Sequence, residues 1–364
     1  MSPARPDVRL RGRFGRAALG IGISVVALVL VVRSVDLAAA GDALRGADSR
    51  WLVALVAFIV ADVILRAIRW KVLLRPVANV PLGTTLSSLL VGYLANNVLP
   101  ARLGEVVRSH DLGERTGISR TTILGTIVVE RVVDTVVVVT IAAIAILVMS
   151  VRGIVASAVM VGAAVSVLLV IAIALGIVAH RLPGAERVTA VIERKPRIHM
   201  TLVRLRTGLA VAGHVPTMVV AILLSIGSWS CTVLAFAAAA QAVGVEPTIG
   251  QAALLAAGTN LATAIPAAPG YVGTFELATV AIAASVGIAR APALAFAVLV
   301  HVTTLLLTSV AGAVALAMGN RRRQRATAAS AAAVSTVSAA SAAAVTSSSP
   351  VAQAAETLPE GDPG

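Results

Sequence analysis

Charged residues are scarce in this sequence, and their scarcity excludes an ordinary soluble domain. Only 13% of the 364 residues are charged, whereas a soluble globular domain carries about 25%. Hydrophobic residues make up 58% of the chain, and the mean hydropathy is +0.94. The charges fall in clusters between long apolar runs, which is the pattern of helices that lie in hydrocarbon. We therefore expect an integral membrane protein with several helical spans.

Cysteine and aromatic residues are also scarce. The single cysteine, Cys231, lies in an apolar run, so it can form no internal disulfide and no cysteine metal cluster. We interpret it as a small apolar packing residue. Because only 3% of the residues are aromatic, the Trp and Tyr belts usual at membrane surfaces are thin here.

The chain is nevertheless basic, with a formal net charge of +13. A basic protein can indicate nucleic-acid binding, but here the arginines stand beside apolar spans, where orientation signals and anionic lipids place them. We therefore expect no nucleic-acid partner. The arginine-rich residues 1–16 are predicted to form a cytoplasmic arm.

The apolar runs predict an all-α polytopic membrane protein with about seven to eight transmembrane helices plus broken or re-entrant segments. These runs are Ala17–Val32, Trp51–Ile68, Leu82–Leu99, Thr121–Met149, Ile154–Ala179, Val215–Ala240, Gln251–Pro266, Val272–Val286 and Pro292–Met318. The first run could instead be a signal peptide, with Ala38–Ala40 as its cleavage site. Arg33 and Asp36 precede that site and favour a retained span.

The positions of the basic segments predict a hairpin in the first half of the chain. The Trp51–Ile68 run ends in Arg66, Arg69, Trp70, Lys71 and Arg75, a basic end that we place in the cytoplasm. A strongly basic loop after Ala179 is placed on the same side. Residues 82–120 must then cross the membrane an even number of times, because the runs Thr121–Met149 and Ile154–Ala179 form a pair that starts and ends in the cytoplasm. Non-helical backbone at that depth is tolerated only around a cavity or inside protein, so a hairpin there implies a cavity.

The membrane domain is predicted to span residues 17–319, with two halves at about 51–179 and 215–318. Aligning Pro100 with Pro266 also aligns Gly92 with Gly258 and Gly104 with Gly270, which suggests an internal repeat. Interrupted segments in equivalent places of two halves indicate a transporter site. An inverted repeat with two hairpins would leave the C-terminus outside. The arginines that follow Met318 favour a cytoplasmic C-terminus, and we follow the charge rule. The Ala/Ser-rich stretch from Ala326 to Gly364 is predicted to be disordered.

Three charged residues stand inside one predicted span: Glu130, Arg131 and Asp134. Glu130 and Asp134 share a helix face, and Arg131 lies within pairing reach of Asp134. Each charge at the bilayer centre costs about 2.5–3.5 kcal/mol on insertion scales. Two interpretations stay open: a neutralised buried cluster that locks helices together, or the lining of a path for polar head groups or protons. Asp62 and Arg66 are also predicted to pair, at i and i+4.

Polar residues surround both predicted breaks. Arg102 and Arg108 could hold a phosphate bidentately, although an ordinary interfacial charged loop is the alternative. Asn96, Asn97 and Asn260 would satisfy backbone groups that a broken helix frees. The remaining candidates for the substrate path are Pro100, Gly104, Glu105, Pro266, Pro269, Gly270, Gly273 and Glu276, the last being the counterpart acid of the second half.

Catalysis is not predicted, and neither is a cofactor or a metal. None of the five histidines shows metal-ligand spacing with acids, and the sequence has no phosphate loop and no nucleophile elbow. His301, in the last span, is interpreted as a packed, hydrogen-bonded residue rather than a proton carrier.

The sequence resembles the flippase-like family that includes the membrane region of bacterial lysylphosphatidylglycerol synthases. The resemblance covers about Ala17 to Met318 and rests on Leu65–Trp70, on Asn97–Arg108, on Glu130–Asp134, and on Pro266, Pro269, Gly270, Gly273 and Glu276. A soluble aminoacyl-transferring domain is not expected in this chain. The resemblance therefore implies lipid handling rather than lipid aminoacylation.

The first functional hypothesis is a transporter that moves an anionic phospholipid or a polyprenyl-phosphate-linked head group between leaflets of the cell membrane. The alternative is a non-transporting partner that presents lipid to a separate glycosyl- or aminoacyl-transferase in the membrane. An intramembrane enzyme is the least favoured hypothesis. The sequence does not define the oligomeric state.

Overall fold

The computed structural model describes residues 25–99, 103–153, 196–263 and 268–347, together with Gly22 and scattered residues between 156 and 171. All regular structure in these ranges is helical. The α-helices are α1 (Val25–Ser34), α2 (Leu37–Arg45), α3 (Ser49–Leu74), α4 (Leu82–Val98), α5 (Gly104–Thr116), α6 (Arg120–Met149), α7 (Pro196–Leu209), α8 (Val215–Ala242), α9 (Ile249–Ala262), α10 (Thr274–Ser285) and α11 (Arg290–Ser347). Short 3₁₀ turns occupy Ala210–Gly213 and Pro269–Tyr271.

Four of the described helices are long and apolar enough to cross a membrane: α3, α6, α8 and the part of α11 from Arg290 to Arg321. They contain 26 to 32 residues, and a bilayer needs about 20. The all-helical class is therefore confirmed. Most of the predicted span Ile154–Ala179 and part of Ala17–Val32 lie outside the described residues. The number of seven to eight crossings stays a prediction.

Two compact units divide the chain, Met1–Ala313 and Val314–Gly364. The first unit contains every residue that lines the cavity described below. In the second unit, residues 314–347 are helical, so the prediction that the chain is disordered from Ala326 is wrong as far as Ser347. Alanine has the highest helix propensity of all residues, which allows a helix without a periodic apolar face. Residues 348–364 lie outside the described ranges.

Helices α4 and α5 form the first hairpin. Helix α4 ends at Val98 and α5 begins at Gly104, which is where the sequence predicts a break. The two helices approach most closely at Gly92 and Gly104. A Cβ atom on Gly104 would overlap the carbonyl oxygen of Gly92 and the side chain of Asn96. Glycine is thus required at this contact, because a backbone carbonyl cannot move aside.

Helices α9 and α10 form the second hairpin. Helix α9 starts with a capping box, in which Thr248 and Gln251 exchange hydrogen bonds between side chain and backbone. The two helices are joined by the hydroxyls of Thr259 and Thr279, 3.1 Å apart. Much of α9 consists of alanine and leucine residues with no exposed surface, among them Ala252, Leu254, Leu255, Ala256 and Ala257.

The two halves are not equivalent residue by residue. Gly92 and Gly258 both lie in the entering helix of a hairpin and face the returning one. Gly104, however, begins a helix, whereas Gly270 lies in a turn with a left-handed φ of 70°. The internal repeat therefore stays a prediction, and the alignment of Gly104 with Gly270 does not match in backbone conformation.

Part of the predicted basic cytoplasmic loop is a packed helix. Helix α7 contacts α6, and Gly208 lies against Gly125 so closely that a side chain on either residue would collide with the other helix. The sequence interpretation relied on the arginines of this segment and overlooked the small residue that permits close helix packing.

Candidate functional site

A cavity of about 410 Å³ lies beside the ends of both hairpins. This volume falls within the range of small-molecule binding sites. Residues from both predicted breaks line it. Its polar lining consists of Asp62, Arg66, Tyr93, Asn96, Asn97, Glu105, Arg131, Asp134, Thr135, Thr232, Asn260, Thr263, Tyr271, His301, Thr304 and Thr308. The sequence prediction that a cavity shelters these breaks agrees with this arrangement.

Behind one wall of the cavity lies a buried charge cluster, which we define as Asp62, Arg66, Arg69, Arg108, Glu130, Arg131 and Asp134. Arg69, on α3, is at its centre and has no exposed surface. Its guanidinium donates to Glu130 Oε1 at 3.0 Å, to both carboxylate oxygens of Asp134, and to Ser225 Oγ at 2.5 Å. Arg69 therefore ties α3 to α6 and α8 through charge-assisted bonds.

Arg108 completes the shell around Glu130. The guanidinium of Arg108 donates to both oxygens of Glu130 and lies over the ring of Trp70, with 3.8 Å between the guanidinium carbon and the ring centroid. Trp70 in turn donates from its indole nitrogen to Thr126 at 3.3 Å. Arg108 is buried and does not line the cavity. Its guanidinium holds Glu130, which differs from the phosphate contact that the sequence suggested.

Asp62 and Arg66 form the edge of the cluster that borders the cavity. The Arg66 Nε atom lies 2.8 Å from both oxygens of Asp62, so the predicted i, i+4 pair is confirmed. Ser228 donates to the same carboxylate. The Arg66 guanidinium also lies 5.6 Å from the ring centroid of Trp229. These contacts fix Arg66 in place.

Arg131 is the least constrained guanidinium of the cluster. It donates to Glu130 at 2.9 Å and lies 3.7 Å from Asp134, which confirms the predicted pairing. Its side chain is 42% exposed, and its Nε atom has no hydrogen-bond partner within the described part of the chain. Arg131 lines the cavity. Four members of the cluster line the cavity, and Arg131 has the most exposed side chain of the four.

The cluster carries an excess of positive charge. Four guanidiniums meet three carboxylates, so one positive charge is not neutralised within it. Glu105 also lines the cavity and makes no hydrogen bond or ion pair within residues 25–99, 103–153, 196–263 and 268–347. The cavity therefore offers a guanidinium donor and a separate carboxylate acceptor.

Asn96 supports the backbone at the first break, as predicted, whereas Asn97 and Asn260 make other contacts. Asn96 Oδ1 accepts from the backbone N–H of Gly104 at 2.7 Å, which satisfies one of the free donors at the start of α5. Asn97 donates to the hydroxyls of Thr308 and Ser309 at 3.0 and 2.9 Å. Asn260 donates to the carbonyl of Ala256 in its own helix, at 2.8 Å.

The predicted residues of the second hairpin form its turn. Pro269 and Gly270 lie in the 3₁₀ turn, and Gly273 precedes α10 with a φ of 84°. Glu276 Oε2 accepts from the backbone N–H of Gly273 at 2.7 Å. Glu276 thus caps the start of α10, and its role as the counterpart acid of the second half stays a prediction.

Three predicted site residues, Pro100, Arg102 and Pro266, lie outside the described residues. Conversely, Arg69, Trp70 and Ser225 belong to the site and were not predicted as part of it. The sequence places Arg69 and Trp70 in a cytoplasmic basic end of the span, which stays a prediction; in the structure α3 continues to Leu74 and both side chains are buried. The available signal was the spacing of Arg66 and Arg69, which places both on the helix face of Asp62.

No group of three or more His, Cys, Asp and Glu side chains is placed to hold a metal ion among the residues that the structure describes. The site is composed of ion pairs, amides and hydroxyls.

Comparison with known proteins identifies a membrane family. Residues 17–312 match the family described as the lysylphosphatidylglycerol synthase TM region, and no synthase domain was found. The resemblance noted in the sequence is therefore confirmed, and the chain is a multi-pass membrane protein. Searches of curated proteins and of solved structures found no match.

Proposed function

This chain belongs to the lysylphosphatidylglycerol synthase TM region family, and we propose that it moves the polar head group of a phospholipid between the two leaflets of the membrane. The observation that carries the proposal is the cavity at the ends of both hairpins, with the half-exposed guanidinium of Arg131 in its wall.

The electrostatics of the cavity favour a phosphodiester. A guanidinium binds phosphate oxygens through directed, charge-assisted hydrogen bonds. Because Arg131 lines the cavity and its side chain is 42% exposed, a phosphate in the cavity would reach its guanidinium. Glu105 would accept hydrogen bonds from a hydroxyl or ammonium group of the same head group. A cavity of about 410 Å³ accommodates a head group, while the acyl chains stay in the bilayer.

The buried members of the cluster have a supporting role in this proposal. Arg69 and Arg108 hold Glu130, and Glu130 holds Arg131. A ligand-binding side chain that is oriented by such partners loses less freedom when it binds. The buried charge cluster would therefore both lock α3, α5 and α6 together and orient Arg131, so the two interpretations left open by the sequence are compatible.

The proposal is tested with purified protein in vesicles that contain lipids with a fluorescent label on one acyl chain. Labelled phosphatidylglycerol and a labelled polyprenyl phosphate are compared, and translocation is followed by chemical quenching of the outer leaflet. We expect transfer of at least one of these lipids above the rate of empty vesicles.

Arg131→Gln should lower that rate about 10- to 100-fold, because a hydrogen bond to a charged group contributes about 1.5–3 kcal/mol. Arg131→Lys should give an intermediate rate, since it keeps the charge and loses the planar geometry. The matched control is Arg120→Gln, which removes an exposed guanidinium paired with Glu114 and should leave the rate unchanged. All variants are checked for an unaltered thermal unfolding midpoint.

If no lipid moves faster than in empty vesicles, transport by the chain alone is excluded. The alternative, a membrane partner that presents lipid to a separate transferase, would then be favoured. Equal rates for Arg131→Gln and the wild type would exclude the proposed role of Arg131.

A further inference from the structure

His301, in the cavity wall, forms a buried pair with Glu276 that the proposed function does not use. Glu276 lies in the first turn of α10, and His301 lies in α11; their exposed fractions are 9% and 6%. The Nδ1 atom of His301 is 2.5 Å from Glu276 Oε1, and its Nε2 atom is 2.6 Å from the carbonyl oxygen of Gly270. The imidazole also stacks on Phe275, with 4.4 Å between ring centroids.

The geometry of the pair relates the number of its protons to the hydrogen bonds that it can make. A backbone carbonyl and an ionised carboxylate can only accept hydrogen bonds, and a neutral imidazole has one N–H. Both ring nitrogens of His301 face such acceptors. Both contacts can be hydrogen bonds at once only when the pair holds one proton more than a neutral histidine beside a carboxylate. That proton is on His301 as an imidazolium or on Glu276 as a carboxylic acid, and it occupies the same short contact in either case.

Loss of this proton would break one of the two contacts. The remaining N–H can serve either Glu276 or Gly270, and the other ring nitrogen would then point its lone pair at an oxygen. The second carboxylate oxygen of Glu276 is engaged by the N–H of Gly273. The proton thus links Gly270, through His301, to Glu276, which caps Gly273 at the other end of the turn.

The same turn contains unusual backbone. Gly270, Tyr271 and Gly273 all have positive φ angles, of 70°, 57° and 84°. For Tyr271, which has a side chain, this conformation costs of order 1–3 kcal/mol and persists only when its surroundings hold it. A turn held by one removable proton can act as the moving part of the hairpin, because the strained conformation relaxes when a contact opens.

Other ionisable groups line the same cavity as His301. They are Asp62 and Arg66 on α3, Tyr93 on α4, Glu105 on α5, Arg131 and Asp134 on α6, and Tyr271 in the turn itself. Asp62, Arg66, Arg131 and Asp134 are ion-paired with one another. A phosphate bound at Arg131 would lie in the cavity that His301 also lines, so the lipid head group and the proton would bind at the same cavity.

We propose that Glu276 and His301 form a proton-binding site that couples proton movement to opening of the second hairpin, so that lipid transport is driven by a pH gradient. This inference rests on the proposed function, and it adds the source of energy. It also revises the sequence interpretation of His301 as a packing residue, since the same hydrogen bonds that pack the ring require the extra proton.

The substitution Glu276→Gln removes the exchangeable proton and keeps the hydrogen bonds of the turn. A glutamine amide can accept from the N–H of Gly273 through its oxygen and donate to Nδ1 of a neutral His301 through its nitrogen. His301 can still donate from Nε2 to Gly270. Every contact of the turn is kept and no exchangeable proton is needed. The control is His214→Gln, at the start of α8, where the imidazole contacts only the hydroxyl of Thr217 among the described residues.

The experiment uses the full chain in vesicles with labelled phosphatidylglycerol and an imposed pH difference. If one proton accompanies each lipid, a gradient of about one pH unit, equivalent to about 1.4 kcal/mol, shifts the steady-state ratio of labelled lipid between leaflets about tenfold. Protein orientation does not affect this ratio, because both orientations move lipid and proton in the same direction. Glu276→Gln should show no shift, and His214→Gln should show the full shift.

Two results overturn the coupling and leave the proposed function intact. One is a ratio of labelled lipid between leaflets that does not change with the pH gradient in the wild type. The other is a shift of this ratio in Glu276→Gln equal to that of the wild type. If the wild type moves no lipid at all, the proposed function fails. The proton site is then decided by infrared difference spectra between about pH 5 and pH 8, the window in which histidine usually changes charge. A carboxyl or imidazole band that is lost in Glu276→Gln supports the site, and identical spectra exclude it.

Discussion

Both hairpins consist of two helices joined at a break, but different side chains hold the two breaks. In the first hairpin, the returning helix α5 brings Arg108 into a network of permanent charges, and Asn96 closes the break by capping Gly104. In the second hairpin, the returning helix α10 packs small and apolar residues, and its break is closed by Glu276 and His301. Fixed charge therefore surrounds one break and a protonatable pair holds the other.

This difference suggests a division of roles. Ion pairs with several partners keep their charge and geometry across the physiological pH range, so the first hairpin suits the orientation of a ligand. A single pair whose contacts depend on one proton can exist in two states, so the second hairpin suits movement. The comparison can be tested by substitutions that should affect one hairpin more than the other.

The largest effect is expected for Arg69→Met. This change leaves Asp134 and Glu130 buried without their central partner, and breaking a buried ion pair in this way costs about 3–5 kcal/mol. Thermal unfolding in detergent should show a large fall of the midpoint or loss of monodisperse protein. Arg45→Met is the control, because Arg45 and its partner Asp42 are 84% and 72% exposed and such pairs contribute at most about 1 kcal/mol.

A second substitution tests the cause of that loss. Arg69→Met combined with Asp134→Leu removes the main ion pair of the network and keeps Glu130 paired with Arg108 and Arg131. Replacement of a whole buried pair by apolar residues is often neutral, so most of the stability should return. A double variant as unstable as Arg69→Met would show that packing around Arg69, rather than its charge, is what matters.

A smaller effect is expected from alanine at the glycines of the hairpins. In Gly104→Ala, the new Cβ meets the backbone oxygen of Gly92, and the resulting strain should cost about 1–3 kcal/mol. In Gly258→Ala, the new Cβ lies 2.7 Å from the terminal methyl of Ile282, which can turn away, so the cost should be below about 1 kcal/mol.

Gly83→Ala is the matched control in α4. No atom lies within 4 Å of its would-be Cβ, and alanine has the higher helix propensity, so the unfolding midpoint should rise slightly or stay unchanged. Equal decreases of the unfolding midpoint in all three alanine variants would contradict the tighter packing of the first hairpin.

Much of this arrangement follows from local sequence patterns. The spacing of Asp62 and Arg66 predicts a pair within one helix, and the structure contains it. The polar residues around Asn96 predict a helix break, and α4 ends there. These features depend on neighbours three to eight residues away, where helix geometry determines which side chains meet.

The missed features depend on contacts between distant segments. Arg69 and Asp134 are 65 residues apart, and an arginine after an apolar run has the same pattern whether it faces water or a carboxylate on another helix. The pairing of His301 with both Glu276 and Gly270 likewise requires α11 to lie beside the turn. Neither contact has a periodic signal in the sequence.

The most direct measurement is a density map of the protein in lipid nanodiscs that contain phosphatidylglycerol. The proposal predicts a phosphate within hydrogen-bonding distance of the Arg131 guanidinium, with its acyl chains leaving the cavity toward the bilayer. A cavity filled by acyl chains or by repacked side chains, with Arg131 turned onto Glu130 and Asp134 alone, would contradict lipid binding at this site.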